Sequence, residues 1–423
     1  MKVLVVGSGG REHAICWKFS QSKEVTKLFC APGNAGTAQI AQNIDIKAED
    51  VNALADFAQK EKIDLTFVGP DAAVALGIVD EFNSRGLAIL GPTQAAGRLE
   101  SSKEFCKEVM VSAGIPTAKY VAIGSLEEAK EAVKRFTNAA VKADGLAAGK
   151  GVIICHSKGE ILEAVRTLQD KSLFKDAGKR ILLEELLEGD EASMLAFCDG
   201  KTAKLMIPSQ DHKRIFDGDK GKNTGGMGAY APTPIVSGLE KEIHDKVFAP
   251  ALKEMAKRGT PYIGVLYAGL MVKDGKFNVL EFNARFGDPE TQPLLLLLES
   301  DLVGISKACI DGKLSSTEIK WKRGAACCVI LASKGYPDKY EKGKVITGLQ
   351  DAAKLKDVLV FHAGTKLENS KVVTNGGRVL GVTATGSSIK DAISNAYLGV
   401  SKIKFDGMQY RTDIGKAVIS AST

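Results

Sequence analysis

Four short apolar runs in the first hundred residues, KVLVVGSGG, KLFCAPGNAG, IDLTFVGPD and LAILGPT, each break off at Gly or Pro. Between them lie segments such as DVNALADFAQKEK (50–62), whose apolar residues recur at helical spacing. Uninterrupted apolar strands are buried on both faces, and strands alternating with helices pair in parallel. The pattern predicts a doubly wound parallel α/β sheet over residues 1–101. Ligands of such sheets gather outside the carboxyl ends of the strands, near the point where strand order reverses. The turns Gly7–Gly10, Gly33–Gly36 and Gly69–Asp71 are therefore expected to share one crevice.

A dinucleotide site is the obvious occupant, and the residues argue against it. The GxGxxG fingerprint would need Gly where Glu12 stands, and LFCAPGN lacks the acidic ribose ligand that belongs about 20 residues further on. Backbone N–H groups at a helix N-terminus remain, with Arg11 and His13 beside them, and these suit one phosphate group. A tight strand–helix turn serving packing alone is the other reading.

Composition narrows the field. A chain of 423 residues is long enough for two to four domains, and 44% hydrophobic with 26% charged residues is ordinary for a soluble globular protein. MKVLVVGSGG is too short for a signal-peptide core, and PLLLLLES is far shorter than a membrane span. Eight cysteines include no CxxC pair, and the adjacent Cys327 and Cys328 would point to opposite faces of a strand, so reduced thiols in a cytoplasmic protein are expected. The net charge of +6 is mild, the densest basic cluster is KWKRG at 320–324, and there are two Trp, which disfavours nucleic acid and leaves small anionic substrates.

The middle of the chain contains ADGLAAGKG (143–151), which resembles a phosphate loop at first sight. Only three residues separate Gly145 from Gly149, and Gly151 follows Lys150 where a P-loop has Ser or Thr. Strand-like AAVKADG enters it and GVIICH leaves it, so it is predicted as the tip of a β-hairpin. Such a tip can fold over phosphates and donate N–H groups from above, with Lys142 and Lys150 adding charge. Magnesium must then be held elsewhere. In LEFNARFGDPETQ, read as a strand, Glu281 and Asn283 project from one face and Arg285 continues it. A carboxylate and an amide carbonyl suit magnesium, and Arg285 suits a phosphoryl group. Gly287–Asp288–Pro289 is expected to cap a helix beginning at Pro293. ILLEELLEG places Glu184 and Glu185 at a strand end, where an adenine hinge, an acidic helix start and a salt bridge all fit. Further expected elements are helices over 158–170, 238–258 and 388–402, and strands in ACCVILASKGYP, GKVITG, VLVFHAGT and GGRVLGVTATG.

Together these parts resemble the ATP-grasp superfamily. GSGGREHA, APGNAGT, KADGLAAGKGV, SQDHKR, NTGGMGAY, EFNARFGDPETQ and FHAGT are similar, in this order, to the blocks of the phosphoribosylamine–glycine ligase (glycinamide ribonucleotide synthetase) family, from Met1 to about Gly415. The resemblance implies an N-terminal Rossmann-like substrate domain (1–101), an ATP-grasp domain (102–325) with a lid over about 117–190, and a C-terminal mixed α/β domain (326–423). It implies ADP-forming ligation of glycine to 5-phosphoribosylamine through glycyl phosphate, the second step of de novo purine synthesis, by a cytoplasmic monomer or small homo-oligomer. No further domain follows Thr423, so a single activity is expected. Carried over by motif, ATP would contact Lys103, Lys142, Gly145, Gly149, Lys150, Gly151, Glu184, Glu185, Leu187 and Glu191. Glu281 and Asn283 would bind magnesium or manganese. Arg285, Asp211, Lys213 and Asp288 would serve the chemistry, Asp288 holding the glycine ammonium. Gly9, Gly10, Arg11, Gly33, Asn34, Gly36, Thr37, Asp71, His212, Asn223, Thr224 and Gly225 would face the acceptor, with the first two turns on its 5-phosphate. Many superfamily members supply another acidic metal ligand from the preceding strand, where this chain has YAGLMV.

Overall fold

The computed structural model describes residues 1–146, 151–170, 178–416 and 418. Its first five strands are β1 (Lys2–Gly7), β2 (Lys27–Pro32), β3 (Gln42–Asn43), β4 (Leu65–Val68) and β5 (Ile89–Leu90), all parallel in the order β3-β2-β1-β4-β5. Val3, Leu4, Val5 and Val6 are wholly buried, which is why β1 carries no polar alternation. Order reverses beside β1, so the helix that follows it, α1 (Gly10–Ser20), starts at the switch point.

The next unit is a small antiparallel sheet of β6 (Tyr120–Ile123), β7 (Ala139–Ala143), β8 (Val152–Cys155) and β9 (Ile181–Glu184), ordered β6-β9-β7-β8. The helices Leu126–Ala132 and Lys158–Leu168 cover it around a core of its own that includes Ile123, Val141, Ile161, Val165 and Leu183. β7 and β8 form the expected hairpin, pairing from Ala139 with Cys155 to Lys142 with Val152 and closing with Ala143 N–H to Gly151 O at 2.8 Å. Gly149 and Lys150 lie outside the described residues.

A larger antiparallel sheet joins β10 (Asp190–Asp199), β11 (Ala203–Leu205), β16 (Ile263–Lys273) and β17 (Lys276–Asn283) in the order β11-β10-β16-β17. The last sheet starts before residue 326. β12 (Gln210–Asp211) and β15 (Gly228–Ala231) lead in the order β12-β15-β18-β22-β19, with β18 at Ala325–Ser333, β19 at Val358–His362 and β22 at Arg378–Gly386. Small hairpins β13–β14 (Arg214–Phe216, Lys220–Asn223) and β20–β21 (Thr365–Glu368, Lys371–Thr374) sit beside it, β23 (Met408–Gln409) pairs with β18, and the helix Ile389–Val400 covers one face.

The leucine run becomes the helix Thr291–Leu297, every residue of it buried, two residues earlier than the expected start at Pro293. Leu294, Leu296 and Leu297 share one core with Val3, Phe19, Leu195 and Phe361, so a single apolar cluster ties all three regions together. Each such leucine stabilises the junction by roughly 2 kcal/mol. Cys327 and Cys328 do face opposite cores, and all eight cysteines are free and buried. GKVITG is not a strand: Gly343 and Gly348 both hold positive φ, leaving only isolated bridges at Val345 and Thr347. Among the described residues, no helix is long and apolar enough to cross a membrane.

Candidate active site

Ser102 caps the helix Lys103–Ser112, accepting from Phe105 N–H at 3.2 Å, and this holds Lys103 at the mouth of the small sheet. Asp144, just past β7, is stitched to the same helix start: its carboxylate accepts from Glu104 N–H at 2.7 Å, and its carbonyl from Lys103 N–H at 3.2 Å. Lys103 Nζ donates to Gly145 O at 3.2 Å. Lys142 on β7 reaches Glu184 Oε2 at 3.0 Å and Leu280 O on β17 at 3.5 Å, so the lid sheet and the Glu-x-Asn strand meet through one side chain. Lys107, one helical turn after Lys103, binds the same Glu184 oxygen at 2.8 Å. Glu184 is thus the centre of a buried ion cluster, and its Oε1 has no partner. Glu185 is exposed at the strand end, its N–H on Lys119 O at 2.9 Å, with Leu187 half-buried beyond.

Glu281 is the electrostatic focus. Burial pushes its carboxyl up, but Lys213, Lys142 and Lys103 outweigh that and hold it below the ordinary carboxylate range. These lysines come from three separate elements. Lys213 also pairs with Glu191 at 2.7 Å, and Glu191 and Glu281 keep it charged against the cost of burial. Asn283 Nδ2 donates to Glu281 Oε1 at 3.5 Å, which puts the two side chains on one face as the alternation requires. An ionised carboxylate beside an amide carbonyl fits a hard divalent cation that takes its other oxygens from phosphate and water. Among the described residues, no group of three or more acidic, His or Cys side chains could hold a metal without such help.

Arg285 lies past the end of β17 and does not continue its face as a strand residue. It donates to Asn283 Oδ1 at 3.1 Å and Phe286 O at 3.2 Å, and pairs with Glu100 at 2.7 Å. Glu100 also accepts from Ala284 N–H at 2.7 Å; burial, with a smaller push from Asp71, raises its carboxyl, while Glu100 and then Asp71 favour the charged Arg285.

On the other side, a cavity of about 290 Å³ opens between the N-terminal and C-terminal regions, lined by Ser8, Gly9, Gly33, Asn34 and Asp288 and, from the last region, Tyr336, Ala363, Gly364, Thr365, Asn375 and Arg378. The two turns expected to cradle a phosphate spend most of their donors internally. Gly33 N–H goes to Gly7 O, Asn34 N–H to Thr37 Oγ1, and the Gly36 and Thr37 amides to Asn34 Oδ1 at 2.8 and 3.0 Å. Gly9 N–H is held by Glu12 at 2.6 Å and Arg11 N–H by Asp288 at 3.2 Å, while the Arg11 guanidinium pairs with Glu12 at 2.6 Å. Asn34 and Thr37 therefore shape the wall. Gly10 packs under Gln292, which also donates to Asp288 at 3.0 Å. Asp288 stays ionised because Arg378 and Arg11 outweigh burial.

Asp211 and Lys213 join this site and His212 does not. Burial and then Glu290 push the Asp211 carboxyl up, and its Oδ1 has no partner. His212, just past the end of β12, instead accepts from Gly415 N–H at 3.2 Å, with its ring tilted against Tyr230. Asn223, Thr224 and Gly225 form a strap: Asn223 pairs with Arg214, Thr224 binds Lys213 O at 2.8 Å, and Gly225 N–H takes Tyr336 Oη at 2.9 Å. Lys107, Glu100, Glu12 and Arg378 were not anticipated. Only Lys107 left a signal, a lysine four residues after Lys103 on an otherwise apolar helix stripe.

Three family descriptions cover most of the chain: phosphoribosylglycinamide synthetase N domain over residues 1–100, its ATP-grasp (A) domain over 101–291 and its C domain over 326–417. The phosphoribosylamine–glycine ligase of Rhodopirellula baltica is 47% identical over 99% of this chain and 98% of its own length. That of Vibrio parahaemolyticus is also 47% identical, over 99% of both chains. The crystal structure of the Thermotoga maritima phosphoribosylamine–glycine ligase superposes with a TM-score of 0.86 at 36% identity, covering 98% of this chain and all of that one. A biotin carboxylase from Campylobacter jejuni shares the fold at a TM-score of 0.73 and 14% identity, covering 97% of this chain and 92% of that one. With a parallel N-terminal sheet, a lysine-ringed Glu-x-Asn strand and a cavity closed by the last sheet, the chain belongs to the phosphoribosylglycinamide synthetase family, in a three-domain ATP-grasp architecture.

Proposed function

We propose that the chain joins glycine to 5-phosphoribosylamine, converting ATP to ADP and phosphate and giving N1-(5-phosphoribosyl)glycinamide. The observation that carries this reading is the convergence of Lys103, Lys142 and Lys213 on Glu281. Three cations around one acid match a triphosphate held with a divalent ion, and Lys142 joins the hairpin to the strand that would grip it. Glu281 and Asn283 would hold magnesium or manganese, which when bound neutralises phosphate charge. Gly145 to Gly151 would cover the phosphates, Glu184, Glu185 and Leu187 would meet adenine, and Glu191 would meet ribose.

A glycine carboxylate oxygen then attacks the γ-phosphorus, the bond to ADP breaks, and glycyl phosphate forms, with Arg285 beside the transferring group. Asp288 holds the glycine ammonium. The ribosylamine nitrogen attacks the acyl carbon, phosphate leaves with the bonding pair, and Asp211, when ionised, takes the proton. Such chemistry depends on positioning and charge and needs no protein nucleophile. On this reading residues 1–101 and 326–423 hold the acceptor, residues 102–325 hold ATP, and the reduced thiols suit the cytoplasm. ADP release measured with Mg-ATP, supplying glycine and freshly made phosphoribosylamine singly and together, tests it. Release with both should greatly exceed that with either alone; no increase over ATP alone refutes the ligase reading.

A further inference from the structure

We propose that Arg378, the first residue of β22, is the specificity residue that grips the phosphate of the acceptor; this rests on the ligase reading above. Arg378 is the only cationic side chain among the described residues lining the 290 Å³ cavity. All of its side-chain hydrogen bonds to the described residues run through one nitrogen. Nη1 donates to Gly225 O and Asp288 O, both at 2.6 Å, and more weakly to Gly226 O at 3.4 Å. That anchoring fixes the plane of the guanidinium and leaves Nε and Nη2 for a second partner. A planar fork fixed at one corner is the donor geometry that holds a phosphate through two parallel bonds.

Most of the alternative backbone donors in the two N-terminal turns are engaged. The Gly33, Asn34, Gly36 and Thr37 amides are satisfied inside their own turn, and the Gly9 and Arg11 amides by carboxylates. The backbone around Arg378 is shaped for close approach: a Cβ on Gly364 would come 2.5 Å from Gly376 Cα, so neither position has room for a side chain. Asp288 Oδ1 lies 3.6 Å from Nη1. An ammonium taken up by Asp288 would release Arg378 toward an incoming anion, so the two substrates would seat side by side with opposite charges matched.

The test is calorimetric binding of ribose 5-phosphate, which lacks the reacting amine, to the wild type, Arg378→Gln and Arg378→Lys, with steady-state KM values for all three substrates. Arg378→Gln should weaken ribose 5-phosphate by at least about 30-fold and raise KM for phosphoribosylamine in parallel, with KM for ATP within about twofold and KM for glycine raised less than that for phosphoribosylamine. Arg378→Lys should fall between the two, and it decides the matter if the glutamine variant does not fold. Undiminished ribose 5-phosphate binding by either variant, or no binding by the wild type, overturns the assignment. So does a rise confined to the glycine KM, which would make Arg378 only a support for Asp288. A wild type that binds ribose 5-phosphate but releases no ADP with both substrates sinks the ligase reading and leaves this assignment standing.

Discussion

Glu100→Gln isolates a contact that controls the orientation of Arg285. Among the described residues the guanidinium has three hydrogen-bond or ion-pair partners, and the 2.7 Å contact to Glu100 is the ionic one; Asn283 and the Phe286 carbonyl supply the others. The side chains are 20% and 8% exposed, so solvent screens the pair only partly. A hydrogen bond to a charged group contributes roughly 1.5–3 kcal/mol, and breaking a fully buried pair costs about 3–5 kcal/mol. The geometry argues for the overlap of these, about 2–3 kcal/mol. Glutamine's single oxygen can still accept from Ala284 N–H, but its NH2 then faces the guanidinium, so the change removes both the charge and the acceptor that Arg285 uses. If the lost tether lets Arg285 drift from the phosphoryl group, 2 kcal/mol in the transition state is about a 30-fold fall in kcat. The assay is a double-mutant cycle with Arg285→Met, following ADP release at saturating substrates. Glu100→Gln should lose most of its effect in the Arg285→Met background, a coupling of about 2 kcal/mol. An equal loss in both backgrounds would refute the claim that Glu100 acts through Arg285.

Other perturbations test other parts of the site. Glu281→Gln should cut turnover by at least about 100-fold while circular dichroism stays native, because charge beside the phosphates is lost and packing is not; near-normal turnover would remove Glu281 from the metal site. Gly226 holds φ +111° and a Cβ there would land 2.6 Å from Asp211 Oδ1, so Gly226→Ala should cost about 1–3 kcal/mol of stability and lower kcat without moving the ATP KM; unchanged kcat would place Asp211 outside the chemistry. His13, lowered to about 3 by burial and then by His362, and His362, lowered to about 4 by burial, stay neutral in the folded junction. The unfolded chain protonates both below about pH 6.5, so stability is complete above that pH and declines toward pH 4, by about 2 kcal/mol per histidine at pH 5. Denaturation followed through Trp17, which packs on Phe361, should show this slope, and a flat profile would contradict the burial argument.

Periodicity and turn chemistry made much of the fold legible. The N-terminal parallel sheet, the β7–β8 hairpin and the helix near 389–400 all follow from local pattern, because each buries a face its own sequence defines. The failures are long-range. No local signal says that β12 and β15 leave the middle region to complete the last sheet, since pairing partners far apart are chosen by packing. GKVITG looks like a strand until two glycines commit to positive φ. At the site, Glu281 and Asn283 were legible because strand alternation fixes their common face. Glu100 and Arg378 were not, because each acts on residues far away in sequence, Arg285 for the one and Gly225 and Asp288 for the other; Glu12, whose partners Gly9 and Arg11 are local, stands out only as a departure from the dinucleotide fingerprint. His212 and Asp211 are neighbours in one motif, yet the structure turns His212 toward Gly415 and Tyr230, away from the Asp211 carboxylate's surroundings.

The borrowed strands have a consequence for synthesis. A ribosome that has reached residue 325 has made every lysine around Glu281 but not the partner strand that β15 needs, nor the wall that carries Arg378. On the proposed reading, a half-made chain would be able to meet nucleotide before it can meet an acceptor, and an acyl phosphate formed then would have no proper destination until the carboxyl-terminal hundred residues emerge.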